Sequence, residues 1–231
     1  MVPSLLAVVP AKHDSARLTK KNHRLLGDKP LIIHTIAAAL QAVNISRLLV
    51  STDSLELKEI ALRAGATVPF LRPPELATPS ATTKDVVRHA VLFLQEQEGQ
   101  SYDYFMVLQP TSPLRLSCDI DQAFQQLVAA NADSIVSVTK APIPSSHLVR
   151  AEQGIIKPFP ELALPQPELN LYRLNGAIYC SRMPVLLEDG RLLGERIIPY
   201  WMPLTRSVDI DTFEDFTIAA ALLEYSNEPL H

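Results

Sequence analysis

Lys12, Arg17, Lys20 and Lys21 place four cations within ten residues, directly after the apolar run Leu5-Leu6-Ala7-Val8-Val9. A buried strand that empties into so basic a loop has the chemistry to hold a multiply charged anion. The alternative is a solvated turn, the usual fate of a short charge run. Far along the chain, Ser207-Val208-Asp209-Ile210-Asp211 sets two carboxylates two positions apart. On an extended strand such positions share a face. Two carboxylates on one face repel unless a cation lies between them, and Mg²⁺ accepts one or two carboxylates together with phosphate oxygens and water. The competing reading is a strand end that feeds a helix N-terminus, where acids are favoured. Asp53 is a similar strand-end acid and is expected to cap the helix after it. A third stretch, Leu108-Gln109-Pro110-Thr111-Ser112-Pro113-Leu114-Arg115, carries two prolines that fix backbone direction. Gln109, Ser112 and Arg115 are therefore expected in set positions, which suits ligand contact. His34 and His89 fall within helical patterns, and His147 has no neighbouring ligand types. Cys118 and Cys180 read as ordinary reduced thiols, so no histidine or cysteine is assigned to a metal or redox centre.

The elements that must position these groups alternate in type. Apolar, β-branched runs at 5–10, 47–53, 66–71, 104–110 and 133–140 read as strands, and helical patterns fill 30–43, 54–66, 82–97 and 119–130. Ser54 is placed to cap the second helix. The alternation predicts an α/β fold with a mostly parallel sheet covered by helices on both faces. Ligands in such sheets bind beyond the carboxyl ends of the strands. The basic loop, Ser51-Thr52-Asp53 and Gln109–Arg115 all leave such ends, so they are expected to converge on one edge. After residue 140 the pattern breaks. Residues 140–175 are proline-dense and lack a helical period, yet Ile155, Ile156, Phe159, Leu162, Leu164 and Tyr172 recur through them. They read as an extended arm that covers the site or meets a second subunit, with 1–139 and 176–231 forming the core.

The chain has 231 residues, 47% of them hydrophobic and 20% charged, enough for one sizeable core. A net charge of −4 and a pI near 5.9 argue against a general binder of nucleic acid or anionic membranes. They direct the local cations toward a small anion. No apolar run reaches the length of a membrane span and no leader pattern opens the sequence, so a cytoplasmic location is expected.

Seven short stretches, in order, resemble the CMP-sialic acid synthetases, also called acylneuraminate cytidylyltransferases. They are PAK…S…KN (10–22), KPLIIHTIAAAL (29–40), LLVSTDS (48–54), VPFLRPPELA (68–77), LQPTSPLR (108–115), NGAIY (175–179) and SVDIDTFEDF (207–216). The resemblance implies a three-layer Rossmann-like nucleotidyltransferase fold with a projecting dimerisation arm. It further implies an enzyme that activates a sialic-type nonulosonic acid with CTP, uses Mg²⁺ and works as a homodimer. By the same likeness Lys12, Arg17 and Lys21 match phosphate-binding positions. Ser15 and Asn22 contact the nucleotide, and Arg72 with Thr83 fall at the cytosine end. Gln109, Arg173, Asn175 and Tyr179 match the sugar pocket, and Asp209 and Asp211 the metal acids. The sequence departs from the family in two places. The family loop usually reads Ala-Arg-Gly-Gly-Ser-Lys-Gly, whereas this one reads Ala11-Lys12-His13-Asp14-Ser15-Ala16-Arg17. Lysine offers phosphate a point charge where arginine offers a bidentate fork. The arm slot where relatives carry an arginine for the sugar carboxylate holds Pro165. Two rivals remain at this point: a CMP-Kdo synthetase-like enzyme, whose phosphate loop SARLTKK (15–21) resembles, and a catalytically weak nucleotide-binding paralogue.

Overall fold

The computed structural model describes residues 3–14, 17–141, 149–152, 155–158 and 171–227. Its centre is strand β1 (Leu5–Ala11), apolar at almost every position because both of its faces are buried. Helix α1 (Leu31–Gln41) carries the chain to β2 (Arg47–Thr52), which lies parallel to β1 with Val8 opposite Leu49. Helices α2 (Leu55–Arg63) and α3 (Thr83–Glu98) precede β3 (Tyr104–Val107), parallel to β1 on its other side. Helix α4 (Ser117–Ala130) leads to β4 (Ser134–Lys140), and β5 (Tyr172–Arg182) follows the arm. Short α5 (Met183–Leu187), edge strand β6 (Ile197–Trp201) and helix α6 (Phe213–Asn227) complete the order.

The sheet runs β6-β4-β5-β3-β1-β2. It is parallel except for β5, which is antiparallel to both β3 and β4. Alternation along β1 divides the core. Leu5, Ala7 and Val9 pack with α1, α2 and α4, while Leu6 and Val8 pack with α3 and α5. Local sequence agrees with each helix start. The Ser54 hydroxyl accepts from Leu57 N–H at 3.2 Å, and Thr82 with Asp85 forms a reciprocal capping box. Thr212 and Asp215 repeat that box at α6, and the Asp215 carboxylate also accepts from Asp211 N–H at 3.0 Å.

Three expectations change. Residues 66–71 form no strand, only one parallel bridge from Thr67 to Leu49; Pro69 has no N–H to continue the ladder. The segment 207–211 belongs to no sheet. Side chains and a loop satisfy its backbone instead: Arg173 donates to Ser207 O at 3.0 Å, Lys21 donates to Ile210 O at 2.6 Å, and Ile210 N–H donates to Thr111 O at 2.8 Å. The sheet also takes up the chain again before residue 176, since Tyr172, Arg173 and Leu174 pair with Lys140, Thr139 and Val138. Between β4 and β5 the described part is a hairpin of Val149–Glu152 with Ile155–Pro158. The rest of the expected arm, with His147 and Pro165, lies outside the described residues.

Candidate active site

The carboxyl ends of β1, β2, β3, β4 and β6 face one edge of the sheet, and the antiparallel β5 begins there. On that edge the two charged stretches meet. Lys20 adopts a left-handed backbone, φ +52°, and the single 3-10 turn Lys21–His23 then directs Lys21 inward. The Lys21 side chain is only 8% exposed, and its ammonium donates to Asp211 Oδ1 at 3.1 Å as well as to Ile210 O. Arg17 reaches the other oxygen, Asp211 Oδ2, at 2.9 Å from the solvent side. The carboxylate that had no basic neighbour in its own segment thus has two from the first loop.

Asp209 is half-buried, with the Thr111 side chain beside it. Burial pushes its pKa up, the Asp211 charge adds to that, and Thr111, Lys21 and Arg173 act against it. Beneath it lies Gly176, at φ +77°; a Cβ there would stand 3.1 Å from Asp209 Oδ2. Only glycine fits that backbone and that approach together.

The rest of the loop is braced from two sides. Asn22, buried, donates its amide to Lys12 O at 2.8 Å, and Lys12 Nζ donates to Thr78 O at 2.9 Å. Asp53 does not cap α2, because Ser54 does so; its carboxylate accepts from His13 N–H at 2.8 Å and ties the loop to the end of β2. Arg72 is buried against that same strand end, with its guanidinium on the Ser51 carbonyl and hydroxyl. Desolvation lowers its pKa, against the Asp53 charge. Thr83 opens α3, half-buried. Ser15 lies outside the described residues.

These strand-end groups lie within a chain that the cytidylyltransferase family profile matches over residues 6–183. The chain belongs to the cytidylyltransferase family. It is 36% identical to the CMP-N,N'-diacetyllegionaminic acid synthase of Legionella pneumophila, over 98% of this chain and 99% of that protein. Against the N-acylneuraminate cytidylyltransferase of Escherichia coli it is 32% identical over 98% of its own length, and it spans 54% of that longer protein. The pseudaminic acid cytidylyltransferase of Campylobacter jejuni is 28% identical, over 96% of this chain and 97% of that one. These relatives put the chain in the CMP-sialic acid synthetase branch, as a CTP-dependent nucleotidyltransferase. Solved structures agree in fold. CMP:2-keto-3-deoxy-manno-octonic acid synthetase complexed with CTP superposes with a TM-score of 0.73 at 17% identity, covering 96% of this chain and 99% of that one. A 4-diphosphocytidyl-2C-methyl-D-erythritol synthase gives 0.68 at 14%, with the same coverage.

Within this cytidylyltransferase the expected sugar-pocket residues separate. Arg173 and Tyr179 are half-buried; burial raises the Tyr179 pKa, with the Asp209 charge as the lesser cause. Gln109 is half-buried, and its side-chain oxygen accepts from the Thr111 hydroxyl at 3.4 Å. Asn175 differs from expectation. It is fully buried, its oxygen accepts from Ser137 Oγ and Ala177 N–H, and its nitrogen donates to Ser207 Oγ at 2.8 Å. With both ends of the amide taken, Asn175 joins β4, β5 and the acid segment from below and presents nothing to a ligand. Ser112 and Arg115 also point inward: Arg115 is 1% exposed and donates to Ala177 O at 2.7 Å. Burial pushes its pKa down to about 9.

Sequence reasoning missed Thr111, whose carbonyl accepts from Ile210 N–H between the two acids, and Asp215, which fixes the backbone of Asp211. The Thr-x-x-Asp spacing at 212–215 was the available signal for the second. As a metal donor set, Asp209 and Asp211 suit Mg²⁺, whose preference is for few carboxylates and several phosphate or water oxygens. Among the described residues no group of three or more His, Cys, Asp or Glu forms a cage for any other ion.

Proposed function

We propose that this cytidylyltransferase transfers the CMP unit of CTP to the anomeric hydroxyl of a nonulosonic acid and releases pyrophosphate. One observation carries the reading: Lys21, Arg17, Asp211 and Asp209 from opposite ends of the chain form one charge cluster at the ligand-binding edge of the sheet. The names of the relatives support the choice of nucleotide and acceptor. The hydroxyl attacks the α-phosphorus, the bond to the bridging oxygen breaks, and pyrophosphate departs in line. Such chemistry depends on positioning and charge neutralisation more than on covalent help from the protein.

The chain's residues divide that work. Lys21, nearly buried and fixed by the Ile210 carbonyl, holds the Asp211 carboxylate in place. Arg17 is solvent-facing, so it can exchange the Asp211 carboxylate for a phosphate oxygen when CTP arrives. Lys12 sits on a carbonyl of the 74–81 turn and is free to swing onto the same polyphosphate. Asn22 and Asp53 hold the loop in shape, and Arg72 with Thr83 border the end of the site assigned to cytosine. Asp209 and Asp211 would hold Mg²⁺, which when bound offsets phosphate charge and makes the acceptor hydroxyl more acidic. We also propose a cytoplasmic homodimer, with residues 140–171 reaching the second subunit. The proline-dense, apolar composition of that segment supports this, as does the absence, among the described residues, of any helix able to cross a membrane.

The test is pyrophosphate release from CTP with a panel of nonulosonic acids, with Mg²⁺ and with excess chelator. Release that requires CTP, an acid and free Mg²⁺ supports the proposal; a Kdo-only acceptor profile would favour the rival enzyme class. Binding of CTP without turnover on any acid would favour a weak paralogue.

A further inference from the structure

Where the first loop meets α2 it holds a second group of titratable side chains, which the CTP chemistry does not use. His13 and His23 pack edge to face, with ring centroids 5.5 Å apart. The His23 side chain is only 10% exposed. Both of its ring nitrogens, and Nδ1 of His13, are buried without a hydrogen-bond partner. Among the described residues Glu56 is the one carboxylate within ion-pair distance of His23. Its Oε2 stands 3.3 Å from His23 Nε2, not aligned as a hydrogen bond, and Glu56 faces solvent. Lys20 precedes the turn and brings a like charge. The Asp53 carboxylate accepts from His13 N–H at 2.8 Å, and Asp14 accepts from Lys20 N–H at 3.1 Å. Helix α1, packed on the same turn, carries His34 as its one titratable residue, and that ring is engaged with Leu26 O at 2.9 Å. A proton on His23 therefore meets one well-solvated carboxylate on one side and a second histidine with a lysine on the other. Burial lowers the His23 pKa; the Glu56 charge acts against that, and His13 and Lys20 add to it.

Resting on the CTP reading above, we infer that His23, packed on His13, is a pH-sensitive latch on the polyphosphate loop, closed while the ring is neutral and released when it takes up a proton. The latch is mechanical. His23 shares its 3-10 turn with Lys21 and Asn22. Lys21 is fixed on Ile210 O and Asp211, and Asn22 donates to Lys12 O. An imidazolium has two N–H groups to satisfy and finds no aligned acceptor in the closed loop. A ring that leaves for water displaces the turn, and with it the cations that meet the triphosphate. The sign follows from linkage. The closed loop favours neutral His23, so its stability is intact above the ordinary histidine pKa and is lost as the pH falls below it. One released imidazole of ordinary pKa, about 6.5, favours the open loop by up to about tenfold at pH 5.5. Glu56 restrains that release, because it is the group that welcomes the proton in the closed loop, and His13 promotes it.

The experiment measures the Kd of CTP by calorimetry, with the full chain and Mg²⁺, at pH 8 and pH 5.5. It compares the parent with His23→Phe, His13→Phe and Glu56→Gln. Titration of CTP itself is common to all four and cancels in the ratios. At pH 8 the four should agree within about twofold, since phenylalanine keeps the edge-to-face packing and Glu56 is exposed. At pH 5.5 the parent should bind CTP at least about threefold more weakly than His23→Phe. His13→Phe should lie between those two, and Glu56→Gln should bind more weakly than the parent. Loss of packing alone would not move the two neighbours in opposite directions. Should His23→Phe not fold, those opposite shifts carry the test, and shifts of one sign would overturn the latch. A parent that binds CTP at pH 5.5 as tightly as His23→Phe, or more tightly, would overturn the latch and leave the CTP reaction standing. No CTP binding by the parent at either pH would overturn the CTP reading and the latch together.

Discussion

Asp211 holds two cations, and burial should make them unequal. Lys21 is 8% exposed and Arg17 is 67% exposed. Lys21→Met keeps most of the stem but removes the charge, which leaves Ile210 O without its 2.6 Å donor and Asp211 with Arg17 alone. An orphaned acceptor costs about 1–3 kcal/mol. A broken buried pair costs about 3–5 kcal/mol, reduced here because Asp211 is 38% exposed and water can reach it. The expected loss of stability is about 2 kcal/mol, or about 4–8 °C in Tm for a chain of this size. Arg17→Met breaks an exposed pair and should cost under about 0.5 kcal/mol. Activity should not follow the same order. If Arg17 moves to a phosphate oxygen, Arg17→Met should lower kcat/KM for CTP by about 10- to 150-fold, the worth of a charged hydrogen bond of about 1.5–3 kcal/mol. Urea unfolding of both variants, and of each combined with Asp211→Asn, separates pairing from secondary effects. Equal stability losses for the two, or an Arg17→Met enzyme within twofold of the parent, would refute the division into a fixed and an exchanging cation.

Asp209 has its pKa raised in the folded protein, chiefly by burial, so the folded state binds its proton more tightly than the unfolded state does. Its effect on stability is therefore favourable at low pH and is lost as pH rises through the folded value. Asp209→Asn should raise Tm at pH 7, with the gain disappearing toward pH 3, and should abolish turnover; thermal scans across that range check the sign. Gly176→Ala meets both a positive φ and an Asp209 oxygen 3.1 Å from the new Cβ. It should cost about 1–2 kcal/mol in urea unfolding and lower kcat at least tenfold.

Much of this could be foreseen where a residue's type and its environment agree. The both-face-buried β1 is apolar throughout, Thr82 and Asp85 cap α3 as their spacing suggests, and the strand ends collect the charged stretches on one edge. What could not be foreseen concerns polar residues that the fold buries. Lys21 and Asn175 resemble surface residues in type. Each is buried because partners distant in sequence complete its hydrogen bonds, Ile210 and Asp211 for one, Ser137 and Ser207 for the other. The same long-range satisfaction explains why 207–211 needs no strand partner. It also explains why Arg115, just after the two prolines that suggested a rigid ligand contact, turns inward to Ala177 O. Asp53 and Ser54 compete for one cap, and the tie goes to the loop: His13 N–H takes the carboxylate and leaves the hydroxyl for Leu57.

The most direct test of the central claim follows the phosphorus. CTP labelled at the α-phosphate is incubated with the protein, Mg²⁺ and N,N'-diacetyllegionaminic acid, and the products are separated. The account predicts one label per product in a CMP-sugar, with unlabelled pyrophosphate formed in equal amount and none without the acid. Label recovered only as CTP, or as free CMP whether or not the acid is present, would contradict it.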